Sequence, residues 1–130
     1  MQKRILVVED DSALRFLFNS VLASGGCEVI EASSCASAIA AIEADPHFDF
    51  VLCDVELSDC AALDFIDQCC QWNLRTVVIT ANEEYFTACR DMGVLAFIRK
   101  PITARNLLQV VNNINELDMP DAYVATRQRR

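Results

Sequence analysis

Two stretches of this chain, Arg4–Val8 and Asp49–Cys53, share one design: an apolar run that stops abruptly at acids, Glu9-Asp10-Asp11 after the first and Asp54 after the second. An apolar run without polar alternation marks a strand covered on both faces. Such strands belong to parallel sheets whose crossovers are helices, and helical patterns do lie between them. Ser12 is placed to cap the first helix. Its Leu14, Leu17, Phe18, Val21 and Leu22 carry the spacing of one apolar face, and Gly25-Gly26 ends it. A short strand, Glu28–Ala32, follows. Ser33 or Ser34 then heads an alanine-rich helix through Ile39 and Ile42, which stops at Asp45-Pro46.

Beyond Asp54 a loop leads to a helix carrying Leu63, Ile66 and Cys70. Leu74–Ile79 reads as another buried strand ending at Thr80. Residues 83–92 read as a short helix with Gly93 as terminator, and Leu95–Ile98 as a last strand before Arg99-Lys100-Pro101. Thr103 caps a final helix whose apolar face is Leu107, Leu108, Val111, Ile114 and Leu117. From Met119 the periodicity stops, so the expected organisation is one domain over 1–118 and a tail or linker stub over 119–130. Five strands alternating with five helices predict an α/β fold, a doubly wound parallel sheet covered on both faces.

Composition narrows the function classes. A net charge of −8 argues against direct nucleic-acid binding, which needs a basic surface; the basic cluster is confined to Arg127–Arg130. No apolar run approaches the roughly 18 residues that span a bilayer, so no membrane association is expected. Met1–Arg4 is too short for the charged start of a secretory signal, and the expected location is the cytoplasm. The seven cysteines are odd in number and include no C-x-x-C pair; Cys53, Cys69 and Cys89 fall where a small hydrophobe would serve. They read as reduced core thiols.

In open parallel sheets ligands gather beyond the carboxyl ends of the strands. The residues placed there are Glu9, Asp10, Asp54, Thr80 and Lys100. Two unit charges about 4 Å apart repel by roughly 4 kcal/mol at an effective dielectric near 20. One lysine cannot neutralise three such carboxylates, and Mg²⁺, held by carboxylates, waters and phosphate oxygens, is the natural complement. Asp54 can act as a nucleophile that takes a phosphoryl group. Lys100 supplies a compact positive charge for a phosphoryl oxygen, and Thr80 a hydroxyl donor. Glu56 and Asn82, two residues past Asp54 and Thr80, flank the path of a water attacking such a phosphoryl group.

The segments Ile5–Asp11, Val51–Asp54, Val77–Ala81 and Phe97–Pro101 together resemble the receiver domain of two-component response regulators, over residues 3 to 118. The resemblance implies a flavodoxin-like, CheY-like sheet of order 2-1-3-4-5. It implies Asp54 as phosphoryl acceptor and Glu9 and Asp10 as the acidic pair for Mg²⁺ (or Mn²⁺), with the Glu56 backbone carbonyl as a further ligand. Thr80 is then the switch hydroxyl, Lys100 the phosphate-binding lysine and Phe97 the aromatic whose rotamer follows the state. The implied partners are a sensor histidine kinase or histidine phosphotransfer protein, a downstream protein target, and a second copy through the last two helices and last strand. The chain would be a signalling module rather than an enzyme. Ser58 and Ala62 stand where relatives commonly carry proline and glycine, the stretch from Thr80 to Lys100 is shorter than in many relatives, and Phe97 lacks the hydroxyl of the frequent tyrosine.

Two other readings compete. Asp54-Val-Glu56 has the D-x-D form of haloacid dehalogenase-type Mg²⁺ phosphohydrolases, although those place the nucleophile after the first strand. A degenerate receiver acting as a constitutive interaction module is the other. His47 beside Pro46 reads as a surface turn, Trp72 as a packing residue, and Glu83-Glu84 as a solvated first helical turn.

Overall fold

The computed structural model describes residues 2–113. Ile114, Leu117, the expected domain end at 118 and the tail 119–130 lie outside the described residues. The elements are β1 (Arg4–Val8), α1 (Ser12–Ser24), β2 (Glu28–Ala32), α2 (Cys35–Ala44), β3 (Phe50–Asp54), α3 (Ala62–Gln71), β4 (Thr76–Thr80), α4 (Phe86–Met92), β5 (Ala96–Arg99) and α5 (Ala104–Asn112), with a 3₁₀ turn at Glu83–Tyr85 before α4. The strands form one parallel sheet of order β2-β1-β3-β4-β5, the doubly wound α/β fold expected.

Strand alternation divides the core into two layers. Leu6, Val8, Val51, Cys53, Val78 and Phe97 face α2, α3 and α4, where Ala38, Ile42, Phe65, Ile66, Cys69 and Cys89 meet them. Ile5, Val7, Phe50, Leu52, Val77, Ile79, Ala96 and Ile98 face Phe18, Leu22, Leu107, Val110 and Val111 of α1 and α5. Burial of β1, β3 and β4 from both sides is the physical reason their sequences show no polar alternation.

Several local expectations change. Asp11, not Ser12, caps α1: its Oδ1 accepts the N–H groups of Ala13 at 2.9 Å and Leu14 at 3.1 Å. Ser34 caps α2, reciprocated by Ser37 in a capping box. The buried face of α3 is Ala62, Phe65, Ile66 and Cys69, with Leu63 and Cys70 at its margin. No side chain caps this helix at Ala61, so packing rather than local capping sets its phase. Strand β4 begins at Thr76 because the Leu74 N–H closes the end of α3 on the Cys69 carbonyl. Asn82 accepts the Glu84 N–H, which tightens the entry to α4 into the 3₁₀ turn. Gly93 ends α4 in the left-handed region at φ 95°, as its sequence position implied. Trp72 is 43% exposed, contrary to the packing role expected, whereas His47 is on the surface beside Asp45.

The cysteines require the main correction. Cys35 at the start of α2 and Cys60 before α3 are joined by a disulfide, with Cα atoms 6.3 Å apart. The other five are free, and four of these are buried. The bonded residues lie 25 positions apart, and only the crossover through β3 sets the two segments side by side.

Candidate functional site

Strand order reverses between β1 and β3, and the residues just past β1 share that opening with the ends of β3, β4 and β5. Asp54 is the last residue of β3 and is 3% exposed; Glu9, immediately after β1, is 1% exposed. Asp54 Oδ1 accepts the Glu56 N–H at 3.0 Å. Its Oδ2 accepts from Lys100 Nζ at 3.0 Å, and the same ammonium donates to Glu9 Oε1 at 3.2 Å. The second Glu9 oxygen accepts the Asp11 N–H at 3.2 Å. A backbone bond from Lys100 N–H to the Thr80 carbonyl at 2.8 Å aligns the lysine with β4.

Asp10 is exposed at the mouth of this group. One carboxylate oxygen each from Glu9, Asp10 and Asp54 lies within 4.8 Å of the others. With all three ionised, three negative charges face one ammonium. Burial, then the neighbouring Asp54, raises the Glu9 carboxyl from its ordinary 4.5 to about 7, although Lys100 pulls the other way. Burial works against the Lys100 charge, but Asp54 and Glu9 outweigh it and hold its pKa above the ordinary value. The residual negative charge and the all-oxygen donor set fit a small, hard divalent cation.

Thr80 is fully buried, and its Oγ1 accepts the Asn82 N–H at 3.2 Å. Asn82 is half-buried with its side chain turned to the Glu84 N–H, while Glu56 is exposed. Phe97 is fully buried beside Val78 and meets Phe86 of α4 edge to face, with ring centroids 5.4 Å apart. Glu9, Asp10, Asp54 and Lys100 thus form one cluster, Glu56 is tied to it through its N–H, and Thr80 and Asn82 adjoin it through the β4–α4 turn.

Arg15 went unnoticed in the sequence. Its Nη1 donates to the Glu9 carbonyl at 2.8 Å and its Nε pairs with Glu31 at 3.1 Å, fixing the chain where β1 turns into α1. No motif announces it; its position four residues after Asp11 became meaningful only once α1 was placed over β2. Asp59 was missed as well. Its carboxylate accepts the N–H groups of Cys35 at 2.9 Å and Ala36 at 3.2 Å, tying the β3–α3 loop to α2.

The sequence profile of the response regulator receiver domain matches residues 5–112. Over 122 residues the chain is 30% identical to the DNA-binding transcriptional regulator NtrC of Azospirillum brasilense, covering 91% of this chain and 25% of that protein. It is also 30% identical over 119 residues to the sensor histidine kinase GacS of Pseudomonas protegens, covering 83% of this chain and 13% of the kinase. The chain therefore spans a quarter or less of the curated relatives it matches. Among solved structures, the CheY-like receiver domain protein of Methanospirillum hungatei JF-1 superposes with a TM-score of 0.81 at 26% identity, covering 89% of this chain and 96% of that one.

Proposed function

The chain belongs to the response regulator receiver domain family, and we propose that it accepts a phosphoryl group on Asp54 from a sensor histidine kinase or a histidine phosphotransfer protein. The observation that carries this reading is the Asp54 carboxylate itself, buried at a strand end between the Glu56 N–H and the Lys100 ammonium. An Asp54 oxygen attacks phosphorus while the bond from phosphorus to the donor imidazole breaks; the nitrogen keeps the electron pair and takes a proton. Lys100 is placed to pair with a phosphoryl oxygen as Asp54 loses its free charge. The Thr80 Oγ1 already accepts from Asn82, which leaves its own proton to donate to another phosphoryl oxygen. Glu9, Asp10, Asp54 and the Glu56 carbonyl would hold Mg²⁺ (or Mn²⁺), whose charge, when bound, offsets that of the incoming phosphoryl group.

Movement at Thr80 is passed along the 81–85 turn to Phe86, which packs on Phe97, so α4 and β5 present the state to a downstream protein or a second copy. The domain is taken as 1–118 and the location as cytoplasmic; no helix among the described residues is long and apolar enough to cross a membrane. The haloacid dehalogenase-type alternative is set aside by the family match and by the place of Asp54 on the third strand.

Incubation with a small acyl phosphate and Mg²⁺ should give acid-stable, hydroxylamine-labile labelling that Asp54→Asn abolishes. Undiminished labelling of that variant, with substitute sites excluded by mass mapping, overturns the assignment. An unlabelled parent supports the constitutive-module alternative instead.

A further inference from the structure

The loop between β3 and α3 begins beside Asp54 and is bound to α2 in two ways. Asp59 accepts the first two helical N–H groups of α2, and Cys60 is bonded to Cys35, the first residue of that helix. We propose that Cys35 and Cys60 are a reversible thiol–disulfide couple, a redox modification site that clamps the loop following Asp54. The consequence for Asp54 rests on its role as phosphoryl acceptor; the couple itself does not.

Three observations single out this pair. First, it is reachable: Cys60 is partly exposed, and a cleft of about 290 Å³ between α2 and α3 is lined by Cys35, Ile39, Cys60, Asp64, Phe65 and Gln68. Small oxidants and thiols can enter along that cleft. Second, the remaining thiols are disfavoured. Burial pushes Cys69 up to about 12 and Cys89 up to about 11 and raises Cys27 and Cys70 as well, while Cys53 is fully buried within β3. Since the thiolate is the reactive form and needs access, those five are poor competitors. Third, the bond joins segments that Asp59 already holds together, so opening it loosens the loop without releasing it.

Oxidation is a two-electron step. The two thiols give up two electrons and two protons to a peroxide, which leaves as two waters when hydrogen peroxide is the oxidant, and the sulfur–sulfur bond forms. In return, the thiolate of a small thiol attacks Cys60 Sγ, Cys35 leaves as a thiolate and takes up a proton, and a second thiol resolves the mixed disulfide. In a reducing compartment such a bond is transient, the form expected of a sensor. The loop carries the Glu56 N–H that fixes Asp54 Oδ1, so clamping its far end restricts the adjustment needed to admit a phosphoryl group.

The test uses the full chain, reduced with dithiothreitol or treated with a small excess of hydrogen peroxide. Thiol labelling in denaturant should fall from seven groups to the five not in the bond, and peptide mapping should find Cys35 linked to Cys60. In the oxidised form, amide hydrogen exchange across 55–61 should slow several-fold, and phosphoryl uptake from a small acyl phosphate should slow with it. Cys60→Ser should behave as the reduced parent under both conditions. Seven free thiols after peroxide, a bond that dithiothreitol does not open in the folded protein, or equal loop exchange in both forms overturns the couple. Uptake that is measurable but equal in both forms overturns the clamp. No uptake in either form overturns the acceptor reading, while thiol count and exchange still decide the couple.

Discussion

Lys100 Nζ lies 3.0 Å from Asp54 Oδ2, joining the ends of two strands whose residues are 46 positions apart. The ammonium also reaches Glu9, so a single cation holds two carboxylates that are almost wholly buried. Removing one partner from a buried ion pair costs about 3–5 kcal/mol, because the remaining charge is stranded. Here the loss is limited, since Glu9 can take a proton instead. Lys100→Met should therefore destabilise the metal-free protein by about 3 kcal/mol at pH 8 and by clearly less at pH 5. Urea titrations at the two pH values measure it; equal losses would show that Glu9 does not respond to the missing ammonium.

Glu9 itself makes stability depend on pH. Its folded value is raised, about 7 against an ordinary 4.5 in the unfolded chain. Between those values the folded protein binds more protons than the unfolded one, so stability falls as pH rises through the window. The cost is absent below pH 4.5 and fully present above 7, on the order of 3 kcal/mol in the metal-free protein. Glu9→Gln should remove most of that slope and unfold at a higher urea concentration than the parent at pH 8. An unchanged slope in the variant would place the dependence on other groups.

Asp10 separates charge repulsion from metal binding because it is exposed and outside the Lys100 pairs. Asp10→Asn removes one charge from the cluster and one candidate ligand together. Without Mg²⁺ the variant should match or exceed the stability of the parent. With Mg²⁺ at a hundred times its dissociation constant the parent should gain about 2.7 kcal/mol and the variant little. The variant should also label poorly with a phosphodonor. Should the parent show no response to millimolar Mg²⁺, or the variant keep the full response, the acidic cluster is not the metal site.

Phosphoryl lifetime should depend on Glu56 and Asn82. Glu56 is exposed, so Glu56→Asn should alter the hydrolysis rate with little effect on stability. Asn82 also caps the Glu84 N–H at 2.9 Å, so Asn82→Glu should change the rate and in addition cost about 1 kcal/mol of stability. A tenfold rate change is only about 1.4 kcal/mol of barrier, the size of a single hydrogen bond to the attacking water. Decay of the labelled protein, followed in parent and both variants, checks this; three identical rates would sink the assignment.

The sequence alone determined the order of elements, the sheet class and the set of residues at the strand ends. Strands buried on both faces must be apolar throughout, and a polar residue can return only where the strand leaves the core, which is why Glu9, Asp54, Thr80 and Lys100 were legible as a group. Cap residues and glycines are local signals too, and Gly93 and Ser34 act where their chemistry indicated. What the tertiary structure decided is which of these groups pair. Asp11 rather than its neighbour Ser12 became the α1 cap because its extended φ and ψ aim its carboxylate at the first α1 N–H groups. Lys100 lies 91 positions from Glu9, and Cys35 lies 25 from Cys60; no local pattern encodes either distance. Those meetings follow from the crossovers that place β1 between β2 and β3, and α3's buried face follows from its packing against the sheet, since no side chain caps its start. Pairings of that kind are set by how layers stack, a property of the whole chain that no short segment contains.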